Sequence, residues 1–301
     1  MSFQKELENF EKWMYGYKGW SFSTIQKTIQ KVKYLKRLGL DITKFRNMNL
    51  EEIQKTLINF FAEQRKRGKT RKTLNGYIKI INRYLQFLGL DYKVKYFPDY
   101  SEESISVPSD EEVRRILKVR WIHPDVDLRN RAMIHLVFAT GIRLSELVNL
   151  NWNDLDLINK TIKIRSGKFE KTREIPVPPR VIKLLLEYKK VRLRTDPNAM
   201  FTSHKGRITE SYVRKIFKEA GEKAGVPGFH IHAARHWRAI KWIDQGIDLD
   251  AVRVLLGHKH LKSTQIYIRK RPINKIFNQV IQKDKFFWTQ KEIKEVDKNE
   301  K

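Results

Sequence analysis

Apolar residues recur at helical spacing along most of this chain, and the pattern is clearest between Leu74 and Leu88. In TLNGYIKIINRYLQFLGL, apolar side chains stand at offsets of 0, 3, 4, 7, 10, 11 and 14 from Leu74, which places them on one face of a helix. An earlier stretch, opened by a capping-box pattern at Ser23 and Gln26, is also helical in spacing. Because such faces must be buried against one another, the N-terminal part is predicted to be a packed group of helices.

The helical pattern is interrupted at residues 91–108, where DYKVKYFPDYSEESISVP carries two prolines. Directly afterwards, Ser109 and Glu112 form a capping-box pattern at the start of another helix. The chain is therefore predicted to form a helical domain, a linker, a second domain and a charged, frayed tail, with the limits 1–95, 96–108, 109–285 and 286–301.

The second domain combines helical spacing with a short region of strand spacing. A helical stretch ends at Gly141, and apolar residues then alternate at Ile162 and Ile164, and again at Ile175 and Val177. This alternation around a turn predicts a β-hairpin. The predicted fold class is therefore mainly α with a small antiparallel β-sheet.

The charge of the chain points to a polyanionic partner. Lys and Arg number 62 against 34 Asp and Glu, a formal net charge of +28 that is spread over both predicted domains. One cluster holds six basic residues within eight positions around a predicted helix start, and contact with phosphates is favoured over a merely solvated loop. These candidates are Arg65, Lys66, Arg67, Lys69, Arg71 and Lys72.

Several classes of protein are disfavoured by composition. The chain has no cysteine, which excludes disulfides, thiolate nucleophiles and Cys-ligated metal sites. It has no apolar run of about 18 residues and no apolar signal core near its start, so we expect an intracellular, cytoplasmic protein without a membrane partner. We expect no metal and no cofactor.

His232 and Arg235 are three residues apart in a predicted helix, so their side chains share one face. Such a pair can hold two oxygens of one phosphate, since Arg offers a planar fork of donors and His a donor or a proton-transfer group. Taken alone, the pair is more typical of exposed polar residues on a basic helix. His232 and His236 have zinc-pair spacing, but the stretch lacks the glutamate of HExxH hydrolases.

Three further residues are candidates with ordinary alternatives. Arg143 follows the tight bend expected at Gly141, although it could simply form a surface salt bridge with Glu146. Lys168 stands in the hairpin turn, where it could reach a leaving group or merely be solvated. His258 follows a glycine at a predicted helix end, where capping is the usual explanation.

Taken in order, four segments resemble the catalytic domain of the tyrosine recombinases, the phage-integrase and Xer-type family. They are GIRLSELVNLNWNDLDL, RSGKFEKTREIPV, HAARHWRAIKWIDQG and LLGHKHLKSTQIY, and the resemblance covers residues 108–268. It implies six catalytic residues, with Tyr267 as nucleophile: Arg143, Lys168, His232, Arg235, His258 and Tyr267. The N-terminal helices resemble the family's SAM-like core-binding domain. One departure is the bulky HWRAIKWI, which suggests altered packing behind the His232 and Arg235 pair.

The resemblance also implies a reaction and its partners. Attack by Tyr267 on a DNA phosphodiester would leave a 3′-phosphotyrosyl bond and a free 5′-hydroxyl, with exchange through a Holliday junction. The partners would be a double-stranded recombination site and three further copies in a tetramer on two sites, with a monomer or weak oligomer in the absence of DNA. The apolar residues at 273–281 predict a helix that packs in cis or docks on a neighbouring copy.

Two other functions remain open at this point. An enzyme similar to type IB topoisomerases would use the same chemistry to relax supercoiled DNA without a cognate site. A DNA-binding protein on the same scaffold would lack catalysis, although all six expected side chains are present.

Overall fold

The computed structural model describes residues 2–98, 107–165, 172–258 and Thr264. These fall into two compact units, an N-terminal unit within residues 1–104 and a C-terminal unit within residues 105–301. Each unit has its own core of buried apolar side chains. Within the described ranges, no helix is long and apolar enough to cross a membrane.

The described part of the N-terminal unit has four helices and a short 3₁₀ helix at Ile42–Asn47: α1 Phe3–Gly16, α2 Phe22–Arg37, α3 Leu50–Lys66 and α4 Arg71–Phe87. The apolar stripe predicted from the sequence lies on α4, where Leu74, Ile78 and Leu85 are fully buried. The predicted cap of α2 was wrong. The side chain of Ser21, not Ser23, accepts a hydrogen bond from the Thr24 amide, because Ser21 has the extended backbone that a capping residue needs.

The core of the N-terminal unit contains a neutralised carboxylate. Glu6 on α1 is 2% exposed, and its Oε1 accepts hydrogen bonds from Arg46 Nε at 2.9 Å and from the Tyr84 hydroxyl at 2.7 Å. Burial and the hydrogen bond to Glu6 raise the pKa of Tyr84. The charge of Glu6 is thus paired with one cation, and the Tyr84 hydroxyl donates to the same carboxylate oxygen.

An extended segment runs along α4 and is held by two asparagines. The Asn82 amide donates to Val94 O at 3.0 Å and accepts from Val94 N at 2.8 Å, and Asn75 makes the same pair of bonds with Phe97 at 2.9 and 2.8 Å. Each side-chain amide therefore pairs with both the N–H and the C=O of one backbone residue, as a neighbouring strand would. Phe97, assigned to the linker from its sequence, packs against the core of the N-terminal unit.

The described part of the C-terminal unit has seven helices: α5 Asp110–Lys118, α6 Pro124–Thr140, α7 Leu144–Asn149, α8 Pro179–Val191, α9 Glu210–Lys223, α10 Ile231–Asp244 and α11 Leu249–Leu256. It also has a short 3₁₀ helix at Trp152–Asp154. The Ser109 capping box is confirmed, since its side chain accepts from Glu112 N and Glu112 accepts from Ser109 N. Helix α6 packs between α8 and α10 in the core.

The strands of this unit form two small antiparallel sheets: β1 Leu155–Asp156, β2 Thr161–Ile164 and β3 Arg173–Pro176 in one, β4 Thr202–Ser203 and β5 Gly206–Arg207 in the other. The predicted hairpin is confirmed, with Ile162 opposite Ile175. Arg173 lies opposite Ile164 and is also buried, so β3 directs a charged side chain towards the interior. Residues 166–171 lie outside the described part.

Candidate active site

Two helices of the C-terminal unit end at a glycine in the left-handed conformation. Gly141 follows α6 with φ +63° and Gly257 follows α11 with φ +66°. Glycine adopts this backbone at little cost and is common where helices end. The terminal carbonyl oxygens, which have no partner within their helix, are then available to side chains.

Arg235 on α10 joins these two helix ends. It is 4% exposed, and its Nη1 donates to Gly141 O at 2.6 Å while its Nη2 donates to Leu256 O at 2.8 Å. Helix C-termini carry partial negative charge, which stabilises a nearby guanidinium. The arginine is therefore buried without relying on an acidic residue at these two contacts.

Arg143 precedes α7 and also reaches the end of α11. Its amide donates to Glu146 Oε2 at 2.7 Å, its Nη1 donates to Glu146 Oε1 at 2.9 Å, and its Nη2 donates to Gly257 O. The ion pair with Glu146 that the sequence offered as an alternative does form. It is not a surface pair, because the Glu146 side chain is only 7% exposed.

Arg173 was missed from the sequence. Its Nη1 and Nη2 donate to the two oxygens of Glu146 at 2.9 and 2.8 Å, and its Nε donates to Leu255 O at 2.8 Å. Burial alone would raise the pKa of Glu146, but the hydrogen bonds and charge of Arg173, with those of Arg143, hold it below its usual value. The sequence does contain a sign that Arg173 is buried: it stands two residues before Ile175, on the inward face of the strand.

Gly257 is also required by its close approach to Arg173. A Cβ atom placed on Gly257 would lie 2.6 Å from Arg173 Nη1 and 2.8 Å from its Cζ. Both the left-handed backbone and the lack of a side chain are therefore needed here. The guanidinium of Arg173 rests directly on the turn that leads to His258.

His258 follows this turn, and its Nδ1 is 2.8 Å from the hydroxyl of Thr264. Burial, followed by the charges of Arg235 and Arg143, lowers the pKa of His258 to about 3. The imidazole is therefore neutral near pH 7. It retains one N–H donor and one acceptor for a neighbouring group.

His232 lies one turn before Arg235 at the exposed start of α10. Its pKa is lowered, first by burial and then by His230 and Arg235. Behind this face of α10, the bulky residues anticipated from the sequence pack as a group. The guanidinium of Arg238 lies 5.1 Å from the ring centre of Trp237 and 5.6 Å from that of Trp242.

The structure brings together four of the six predicted catalytic residues, namely Arg143, His232, Arg235 and His258. Lys168 and Tyr267 lie outside the described residues. The predicted phosphate contacts belong to the other unit, at the end of α3 and the start of α4, and all but the half-buried Lys69 are exposed. Across the described ranges, no three His, Asp or Glu side chains are placed to hold a metal ion.

The C-terminal unit matches a known protein family. The sequence model of the phage integrase family matches residues 109–272, more than half of the chain. The chain belongs to that family. Phage integrase family relatives include the tyrosine recombinase XerA of Pyrococcus furiosus, 29% identical over 76% of this chain and 80% of that protein. The tyrosine recombinase XerC of Actinobacillus succinogenes is 32% identical over 72% of this chain and 77% of its own length. The chain is therefore an enzyme of the tyrosine recombinase type.

Solved structures of phage integrase family proteins have the same fold. A crystal structure of XerA recombinase matches with a TM-score of 0.53 and 24% identity, covering 93% of this chain and 98% of that one. The Tn1549 transposon integrase in complex with transposon right end DNA matches with a TM-score of 0.71 and 15% identity, covering 92% and 99%. The mainly helical two-domain architecture predicted from the sequence is thus confirmed.

Proposed function

We propose that this chain is a site-specific DNA recombinase in which Tyr267 attacks a DNA phosphodiester. The observation that supports this function is that Arg143, Arg235 and His258 lie together at the ends of α6 and α11. These groups supply hydrogen-bond donors and positive charge for a phosphate. Preorganised donors of this kind stabilise the charge that develops in the transition state.

The proposed step balances as a transesterification. The Tyr267 hydroxyl first loses its proton to solvent. The bond from phosphorus to the 5′ oxygen then breaks as a bond from phosphorus to the Tyr267 oxygen forms, and Lys168 gives a proton to the departing 5′ oxygen. A free phenol has a pKa of about 10, and neighbouring cations favour the phenolate. His232 and His258 add donors to the phosphate oxygens. The 3′-phosphotyrosyl bond keeps the phosphodiester energy, so rejoining needs neither ATP nor a metal or other cofactor.

The wider assembly follows from the same proposal. The six basic residues around the α3–α4 turn contact DNA phosphates, since all but the half-buried Lys69 are exposed and the turn leads into a helix start, where anions are stabilised. Related enzymes have been solved on DNA, among them XerH bound to difH substrate and a lambda integrase dimer on a core site. We place this chain in the cytoplasm, as a tetramer on two DNA sites that cuts and joins strands through a Holliday junction. Residues 1–95 act as the core-binding domain and 109–285 as the catalytic domain, with a linker at 96–108 and a charged tail at 286–301.

Capture of the covalent adduct tests the proposal. Purified protein is incubated in EDTA with sheared DNA from the organism that encodes it, and DNA linked to protein is recovered and sequenced. A nicked suicide duplex is then built on the recovered site. We expect the wild type and Tyr15→Phe, a change at an exposed tyrosine of the N-terminal unit, to form an adduct on the 3′ side, and Tyr267→Phe to form none.

Two results would contradict the proposal: an adduct that persists in Tyr267→Phe, or a strict requirement for a divalent metal. Relaxation of supercoiled plasmids that lack the recovered site would instead indicate a topoisomerase-like activity. DNA binding without any adduct would indicate a non-catalytic role.

A further inference from the structure

Arg173 connects parts of the site that are far apart in the chain. It lies on β3, its carboxylate partner Glu146 is 27 residues earlier on α7, and its carbonyl partner Leu255 is 82 residues later on α11. Its side chain is 6% exposed. A contact across such separations constrains the relative positions of three elements at once.

All three guanidinium nitrogens of Arg173 donate hydrogen bonds. Two parallel bonds hold the Glu146 carboxylate, and Nε points to the last turn of α11. This bidentate geometry is specific to a planar guanidinium, whereas a lysine ammonium supplies charge without the fork. Replacing Arg173 by lysine therefore separates geometry from charge.

The oriented carboxylate in turn fixes Arg143. Each Glu146 oxygen that accepts a hydrogen bond from Arg173 also accepts one from Arg143. Oε2 accepts from the Arg143 backbone amide, and Oε1 accepts from Arg143 Nη1. On its other side Arg173 lies against Gly257, the residue before His258. The two contacts relate the position of Arg143 to that of the His258 turn.

We propose that Arg173 is a positioning residue of the active site, which holds Arg143 through Glu146 and the end of α11 through Leu255 and Gly257. This inference rests on the proposed recombinase function. It does not place Arg173 on the substrate. Misplacement of catalytic groups by about 1 Å can cost roughly 10²-fold in rate, which sets the expected size of the effect.

The first test needs no DNA. In Arg173→Lys, hydrogen exchange of the Gly257 and His258 amides, which donate to Val254 O and Arg253 O, should be faster than in the wild type. The Val226 amide at the end of α9 should be unchanged. The matched control is Arg129→Lys: Arg129 is also buried, 5% exposed, and donates to Asn130, Thr202 and Tyr212 away from the site.

The second test measures adduct formation on the suicide duplex at saturating DNA, per folded molecule. Arg173→Lys should be slower by about 10²-fold with unchanged DNA affinity, and Arg129→Lys should react at the wild-type rate. If Arg173→Lys does not fold, Arg173→Gln combined with Glu146→Gln removes both buried charges, and it should show the same loss of rate.

A wild-type rate in the Arg173 variant overturns the proposal, whether or not the amides exchange faster. An equal loss in Arg129→Lys also overturns it, because the effect would then be one of general destabilisation. If the wild type itself forms no adduct, the recombinase function fails. The exchange experiment then decides by itself whether Arg173 holds the end of α11.

Discussion

Both units bury a carboxylate against arginine, but the surroundings of the two carboxylates differ in charge. In the N-terminal unit, Glu6 meets Arg46 and the neutral phenol of Tyr84, so the cluster has no net charge. In the C-terminal unit, Glu146 meets both Arg143 and Arg173. Arg235 lies beside them at the end of α11. These three arginines outnumber the single carboxylate, so the cluster has a net positive charge.

We expect this difference to distinguish a structural ion pair from an anion-binding site. A buried carboxylate with a single arginine forms a neutral ion pair, which presents no surplus charge to a ligand. Surplus guanidinium groups that face backbone carbonyls suit an incoming anion, because charged acceptors form stronger hydrogen bonds than neutral ones. Burial of an ion pair is thus a weaker sign of function than the balance of charge around it.

The largest expected effect concerns Arg143. Changing Arg143→Gln should lower the rate of adduct formation by roughly 10²–10³-fold, the scale found when one preorganised donor to a transition-state oxyanion is lost. The measurement is single-turnover adduct formation on the suicide duplex, corrected for the folded fraction.

The corresponding change in the N-terminal unit is Arg46→Met, which leaves Glu6 buried without its cation. It should lower the free energy of unfolding by about 3 kcal/mol, measured by urea denaturation, while the adduct rate per folded molecule stays at the wild-type value. The comparison breaks down if Arg46→Met slows adduct formation as much as Arg143→Gln does.

A smaller effect is expected at the glycine beside Arg173. Gly257→Ala combines a strained left-handed backbone with a Cβ that would lie 2.6 Å from the Arg173 guanidinium, so it should cost about 2 kcal/mol of stability and also slow adduct formation. Gly225→Ala is the matched control, since its φ is +68° and nothing lies within 4 Å of the added carbon. It should cost about 1 kcal/mol and leave the rate unchanged. Equal effects of the two changes would show that the contact with Arg173 contributes to neither stability nor the adduct rate.

The smallest effect concerns pH. Since the pKa of His258 is lowered to about 3 in the folded protein, the unfolded chain, with a pKa near 6.5, takes up the proton first as the pH falls. The stability that neutral His258 contributes is therefore present above about pH 6.5 and lost towards pH 3.

Between pH 7 and pH 5.5, His258→Asn should lose less stability than the wild type, by at most about 1 kcal/mol once the partial exposure of the ring is allowed for. Urea denaturation at the two pH values measures this. His204→Gln, at an exposed histidine of the same unit, should behave as the wild type does. A His258→Asn curve identical to that of the wild type would show that His258 is not buried beside these arginines.

Local patterns in the sequence predicted much of the fold. The stripe on α4, the Ser109 cap, the glycine end of α6 and the alternation of the hairpin are all short-range features, and all four are confirmed. The start of α2 was misplaced because Ser21 and Ser23 are both reasonable caps, and only the backbone conformation distinguishes them.

The site was predicted less completely. Arg143, His232, Arg235 and His258 came from the order of motifs in a known family, and their catalytic roles stay a prediction. Arg173 escaped notice although its inward position on β3 could have been seen, because a strand pattern does not reveal a partner 82 residues away. The sequence likewise gave no reason to expect that Glu146 is buried.

The glycine ends of α6 and α11 have a consequence for selectivity. Their carbonyl oxygens accept hydrogen bonds from Arg143 and Arg235, so we expect an incoming ligand to compete with them for these donors. The exchange is favourable only if the incoming oxygen carries more negative charge than a peptide carbonyl. We therefore expect the site to favour a phosphodiester over water and neutral hydroxyls, since only the charged oxygen gains by the exchange.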